Sequence, residues 1–417
     1  MPVSSIRPKM RRKEPVGSRQ TLPDGTLHLE APKGLPHNDT PFVLFSDGDA
    51  DEHKRTWACT RGSSLVRSPN GSLLAFFSGM ESCSDGVTRS AMLLRTSADN
   101  GASWSAVRTL HNFTTVSGYL APIVDSINGS VVLYFNVAFV QTWMRRSTDD
   151  GTTWSDAVNV TAAVGALALG RGVQLAGGRQ ALSPHAKSNF ALLSDDGGRT
   201  WRRGGSVNFN GSGLASGGES QLVDNPARGP RALVMTIRVE GPDGDRHHAL
   251  CESNDAGETW SVPVLAHALT GPTCEGSVAR RADGTLLLSA PDNTHWRYPT
   301  DRRNMHVWAL RPNTSAPGGY SAAGTVEVWH GPSAYSGLTR EGDFILFEGG
   351  PAYRYQSVMV ARVPAFSNFR APFYMLHNVP SQAKPSQCCA ARHPKAASIG
   401  RRAEAVYKFY YKHLLGT

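Results

Sequence analysis

Cysteine is scarce in this chain of 417 residues, and none of its six cysteines stands in a C-x-x-C pair. That excludes the usual sulfur-rich zinc sites. Cys59, Cys83, Cys251 and Cys274 are enough for two bridges, whose pairing spacing alone leaves open. Long apolar runs are missing too. The longest, Val131–Val140, falls far short of the ~20 residues a membrane-spanning helix needs. No helical period of any length appears before the C-terminal tail, which argues against a helical or α/β core. The start shows no basic stretch followed by an apolar one, so no signal peptide is visible. His247, His248 and His295 lack metal-ligand spacing. Asp47, Asp49 and Asp51 lack the twelve-residue calcium pattern and read as a solvated loop. Gly217-Gly218 and Gly349-Gly350 are turn glycines with no helix signal after them, so no phosphate cradle is expected. The sequence thus calls for no metal and no cofactor.

The net charge of +9 sits in the ends. Residues 1–20 carry +5 and residues 383–417 carry +6, leaving the middle slightly acidic. Solvated tails account for the high pI without a polyanionic partner, and no nucleic-acid motif is present. Seven N-x-[ST] sequons, at Asn38, Asn70, Asn112, Asn128, Asn159, Asn210 and Asn313, exceed the about three expected by chance. They point toward the secretory pathway, lysosomal or secreted.

What the chain has in abundance is glycine, 42 residues, much of it in Asn-Gly and Asp-Gly pairs between short apolar stretches. One pattern, S-x-D-x-G-x-[ST]-W, occurs four times: Ser97–Trp104, Ser147–Trp154, Ser194–Trp201 and Ser253–Trp260. The starts lie 50, 47 and 59 residues apart, the period of a propeller blade. In such a turn the Asp can bond the amides of its own loop, and the Gly two residues on supplies a positive φ. The Trp is then a plug between neighbouring sheets.

A repeating unit of turn, apolar strand and box runs through the chain. Strands are expected at Ala91–Arg95, Val131–Phe139, Val234–Val239, Ala249–Glu252, Leu286–Ser289, Met305–Leu310, Gly342–Phe347 and Val358–Val363. The count predicts an all-β fold, a six-bladed β-propeller with Asp-box repeats, two blades lacking a good box. Residues 1–40 read as a disordered basic leader, 41–380 as the propeller, and 381–417 as a basic tail with a short helix at Glu404–Leu415.

In a propeller, loops from successive blades converge on the axis, so functional residues should be polar, single and scattered at blade intervals. Arg61, Arg238 and Arg302 fit, each beside a predicted strand of a different blade. Three converging guanidiniums make a clamp for a carboxylate. The motifs around them carry a family resemblance. The four boxes, Arg61-Gly-Ser-Ser-Leu, Glu219-Ser-Gln-Leu-Val with Arg238, Arg302-Arg303-Asn-Met, Pro332-Ser-Ala-Tyr335-Ser-Gly-Leu and Leu346-Phe-Glu348 resemble the exo-α-sialidase (neuraminidase) family over about residues 55–365. Cys274-Glu-Gly-Ser-Val resembles a further pocket segment.

The resemblance implies a retaining glycoside hydrolase acting on sialylated glycoproteins, glycolipids or oligosaccharides. It assigns Tyr335 as nucleophile, Glu219 as its base, and Asp85 as general acid/base. It gives Arg61, Arg238 and Arg302 to the substrate carboxylate, with Glu348 buttressing Arg61. Arg303 is the rival for the third Arg, and Asp85 also reads as a turn residue before Gly86. The family flank of Arg61 is replaced by Arg-Gly-Ser, and Met80 stands where many animal relatives have Arg. A sialic acid carries its own carboxylate on the anomeric carbon, so a neutral phenol approaches where an anion would be repelled. The Arg cluster is expected to favour phenolate character at Tyr335. A non-catalytic sialoglycan-binding propeller and a trans-sialidase fit the same residues.

Overall fold

In the computed structural model, the described residues are 19–21, 27–29, 41–83, 89–113, 119–186, 189–214, 216–240, 248–266, 269, 271–292, 302–316 and 319–364. They are almost wholly β, with one four-residue helix at Thr161–Val164. Asp85, His247, His295, Cys388, Cys389 and the helix expected at Glu404–Leu415 lie outside them. Within the predicted leader, Arg19–Thr21 pairs antiparallel with Leu27–Leu29.

Six four-stranded antiparallel units follow one another along the chain. The first comprises Cys59–Arg67, Leu73–Met80, Ser90–Ser97 and Arg108–Phe113. The second, third and fourth begin at Leu120–Asp125, Val173–Gln174 and Ser216–Asp224. The fifth begins at Ser277–Arg280 and ends in Tyr320–Leu338, a strand of 19 residues. That strand serves twice. Its first part pairs with Arg303–Pro312, and Ser333–Leu338 then opens the sixth unit by pairing with Phe344–Gly349. Ser357–Arg362 and finally Phe42–Ser46 complete the sixth blade. The N-terminal strand thus closes the last blade, where the sequence suggested only the start of blade-like material.

The first strands of successive blades touch in a closed ring around the axis, as a propeller requires. The second strands, such as Leu73–Met80, Ser130–Val137 and Leu286–Pro291, are buried on both faces, which is why they read as apolar runs without alternation. Core clusters lie between blades. One joins Leu44, Phe45 and Phe344 of the sixth to Leu73, Phe77 and Trp104 of the first.

The four boxes fold alike, each after the third strand of blades one to four. Gly101, Gly151, Gly198 and Gly257 take φ between 85° and 90°. Each donates its amide to the leading Ser, as Gly151 N does to Ser147 Oγ at 2.8 Å. The Asp accepts from its own turn, as Asp149 does from Thr153 N at 2.8 Å. Trp154 meets Phe76 of the preceding blade edge-on at 5.7 Å, and Trp201 meets Tyr134 at 5.6 Å. Blades five and six carry no box.

Two readings are corrected. Cys59, Cys83, Cys251 and Cys274 are all free, with Cys251 and Cys274 buried in separate clusters where neither faces another cysteine. The Asp47–Asp51 loop is not simply solvated. Asp51 is buried and accepts hydrogen bonds from His53 N, Arg55 N and Trp57 Nε1.

Candidate active site

Three of the inner strands carry a bulge where a candidate residue sits. Pairing slips between Arg61 and Ser63, between Gly217 and Ser220, and between Ser333 and Ser336. A bulge re-aims one side chain out of the strict in–out alternation. At the first of these Gly62 adopts φ 65°, a value its missing Cβ permits. Arg61, Glu219 and Tyr335 lie at these slips, each near the start of its inner strand, so all three reach the same end of the ring.

There Tyr335 Oη donates a short hydrogen bond to Glu219 Oε1. Arg238 Nη1 holds the other oxygen, Oε2, at 2.5 Å. The guanidiniums of Arg61 and Arg302 each stand 5.5 Å from the Tyr335 ring centre. Glu348 accepts from Gly62 N at 2.6 Å, Tyr335 N at 3.2 Å and Arg61 Nε at 3.3 Å, tying the first and sixth blades together under the site. Arg302 is oriented by the Thr273 carbonyl, at 2.8 Å from Nη2. Six of the seven residues expected from sequence are therefore brought together, and it is Arg302, not Arg303, whose guanidinium faces Tyr335. Asp85 lies outside the described residues. Met80 is buried with Cys59 and Cys83.

The charges are unevenly shared. Burial would raise the Glu219 carboxyl, but the Arg238 guanidinium and the Tyr335 hydrogen bond outweigh it and hold the carboxyl below its ordinary range. Tyr335 moves the other way. Burial first, and the Glu219 anion second, push its phenol well above the ordinary value against the pull of Arg302 and Arg61. The expectation of phenolate character is thus reversed. At rest the pair is a neutral phenol donating to a carboxylate, because an adjacent anion opposes a second one more strongly than cations 5.5 Å away favour it.

Four further residues complete the cluster. Tyr119, held at φ 55°, places its hydroxyl 3.4 Å from Glu219 Oε1. Tyr355 lies beneath Arg61, with the guanidinium 4.2 Å from its ring centre. His185 and Glu275 bring donor atoms within 4.8 Å of those of Glu219. Burial pulls His185 down to about 4, so it is neutral at physiological pH. Burial and the Glu219 charge push Glu275 well above the carboxylate range, so it keeps its proton. His185 and the two Glu are metal-ligand types, but three guanidiniums crowd the same space, which disfavours a dication there. Tyr119, His185 and Tyr355 carry no signal of their own in the sequence. Glu275 lies in the pocket segment already singled out.

The comparisons with known proteins agree with this geometry. The family model described as BNR repeat-like domain matches residues 115–346, more than half of the chain. The chain belongs to the BNR-repeat sialidase family. Human Sialidase-4 is 30% identical over 298 residues, covering 59% of this chain and 58% of that one. The chain spans between 50% and 61% of the length of the curated relatives it matches. Among solved structures, the Hadza microbial sialidase Hz136 superposes with a TM-score of 0.59 at 21% identity, covering 74% of this chain and 66% of that one. The intramolecular trans-sialidase from Ruminococcus gnavus gives 0.57 at 17% identity, covering 77% and 97%. At these identities the structures speak for the fold, and the fold is the family's propeller.

Proposed function

We propose that the chain is a retaining exo-α-sialidase that releases terminal sialic acid from glycoconjugates. The observation that carries the reading is the Tyr335–Glu219 hydrogen bond inside a cage of three guanidiniums. Such a cage suits a substrate whose reacting carbon bears a carboxylate. Arg61, Arg238 and Arg302 would bind that carboxylate, and Glu348 would keep Arg61 in place. Tyr335 Oη attacks the anomeric carbon as the glycosidic C–O bond breaks. Its proton passes to Glu219, already ionised and in contact, while Asp85 protonates the leaving oxygen. Water then attacks the same carbon, giving a proton to Asp85, and Tyr335 recovers its own from Glu219. Two inversions leave the configuration retained.

The test is release of a fluorescent aglycone from an α-sialoside by wild type and by Tyr335→Phe between about pH 4 and pH 7. Wild type should turn over, and the variant should lose more than about a thousandfold in kcat/KM. A folded wild type that binds sialic acid without releasing aglycone would make the protein a sialoglycan-binding propeller. Adding a lactoside acceptor to the same assay separates hydrolysis from transfer, since a trans-sialidase would form a new sialoside.

A further inference from the structure

The candidate active site occupies the start of the inner strands. The other end of the same ring holds a chamber of about 230 Å³, bounded by Arg67, Val124, Gln174, Val223 and Arg340, with Arg171 in its wall. Arg171 precedes the third blade's inner strand. Its guanidinium crosses the ring to the fifth, where Nη2 donates to the Val278 carbonyl at 2.5 Å. Nη1 is buried and has no hydrogen-bond partner. Arg171 is only 5% exposed, and no ion pair reaches it among the described residues.

The other cations around the chamber each have a carboxylate in contact, two of them sharing one. Arg67 pairs with Asp343. Arg340 spends Nε and Nη2 on Asp224 at 2.8 and 2.6 Å, and Arg280 reaches the same carboxylate at 3.1 Å. Glu341 lines the chamber but is solvent-exposed and forms no ion pair with Arg171, so it and Asp224 favour the cation only from a distance. Arg171 is therefore the buried cation at this end of the ring with no ion pair in contact among the described residues. Burial lowers its pKa only to about 10, with Glu341 opposing, so it remains a cation at neutral pH. A buried guanidinium with no ion pair in contact keeps much of its desolvation cost unoffset. Water in the chamber can fill a donor's vacancy but supplies no charge.

We propose that this chamber is an anion site, taking one small inorganic anion between chloride and phosphate in size against Arg171. Such an anion supplies the missing charge and joins the inner strands of the third and fifth blades through one guanidinium. It does so far from Tyr335 and independently of whether the upper site turns over.

Thermal unfolding tests the proposal. At constant ionic strength, chloride or inorganic phosphate is exchanged for gluconate, a larger organic anion. The wild-type midpoint should rise with the logarithm of anion concentration once that exceeds the dissociation constant, as binding to the folded state alone requires. Arg171→Met, of similar length and uncharged, should lose that dependence. Equal dependence in both proteins would show a general salt effect and overturn the proposal. Should the variant not fold, bromide-soaked wild-type crystals decide. An anomalous peak beside Arg171 is expected, and a chamber holding water alone refutes the site.

Discussion

Glu219 and Glu275 show how two carboxyls of one pocket divide their roles. Both are almost fully buried, but Glu219 has the Arg238 guanidinium at 2.5 Å while Glu275 has the neutral Gln221 amide at 3.0 Å and the His185 imidazole at 3.7 Å. Two anions this close in low dielectric are mutually costly, so the one with the cation ionises and the other stays protonated. A pH dependence follows. Glu275's folded-state pKa lies above its unfolded value, so its contribution is fully present below the ordinary Glu range and is lost as pH rises toward the folded value. Glu275→Gln keeps the neutral shape and removes the titration. It should gain in unfolding midpoint over wild type as pH rises from about 4 to 8. A constant difference across that range would contradict the assignment. The motifs at Arg238, Tyr335 and Glu348 made those residues legible in the sequence. Tyr119 and His185 were not, since each is a single loop residue whose meaning comes only from what the ring places beside it. The direction of Tyr335's titration was illegible for the same reason: burial and the Glu219 charge are properties of the assembled site.

At the scale of the element, the Asp box was the most legible feature, because the bonds that shape its turn lie within eight residues. Ser147, Asp149, Gly151 and Thr153 bond one another within the turn, with no partner from another blade needed for these bonds. The inner-strand bulges were not legible, since a register slip is a relation between two strands. The box yields its own prediction. Gly151 sits at φ 86°, and a Cβ there would fall 2.7 Å from Leu74 Cδ2, which is fully buried and has little room to retreat. Gly151→Ala should destabilise by about 1–3 kcal/mol in urea unfolding. Gly177→Ala, with nothing within 4 Å of the added methyl, should be close to neutral. Equal effects would mean that the turn tolerates an L-residue and that the glycine is not required.

At the scale of the molecule, the ring is closed by a strand from one end of the propeller laid against a strand from the other. Phe42–Ser46 lines up along Ser357–Arg362, Ser46 Oγ meets Ser357 Oγ at 2.6 Å, and Arg95 of the first blade donates to the Leu44 carbonyl at 2.6 Å. Six units and two missing boxes could be counted along the sequence. Closure could not, because partners more than 300 residues apart share no local pattern. Leu44 lies in the core between the sixth and first blades, so Leu44→Ala should cost about 2–5 kcal/mol, read as a lower denaturation midpoint. A cost below about 0.5 kcal/mol, the usual range for surface changes, would show that this strand does not lock the ring.

The central claim is that the ring brings Arg61, Glu219, Arg238, Arg302 and Tyr335 to one point so that a phenol can attack a sugar bearing its own carboxylate. Its most direct measurement is peptide mass spectrometry of the protein quenched during turnover of an α-sialoside with a good leaving group. The account predicts one sialyl group on the peptide containing Tyr335, absent from Tyr335→Phe. Turnover with the adduct on any other residue, or a rapid burst that leaves no adduct on Tyr335, would contradict it.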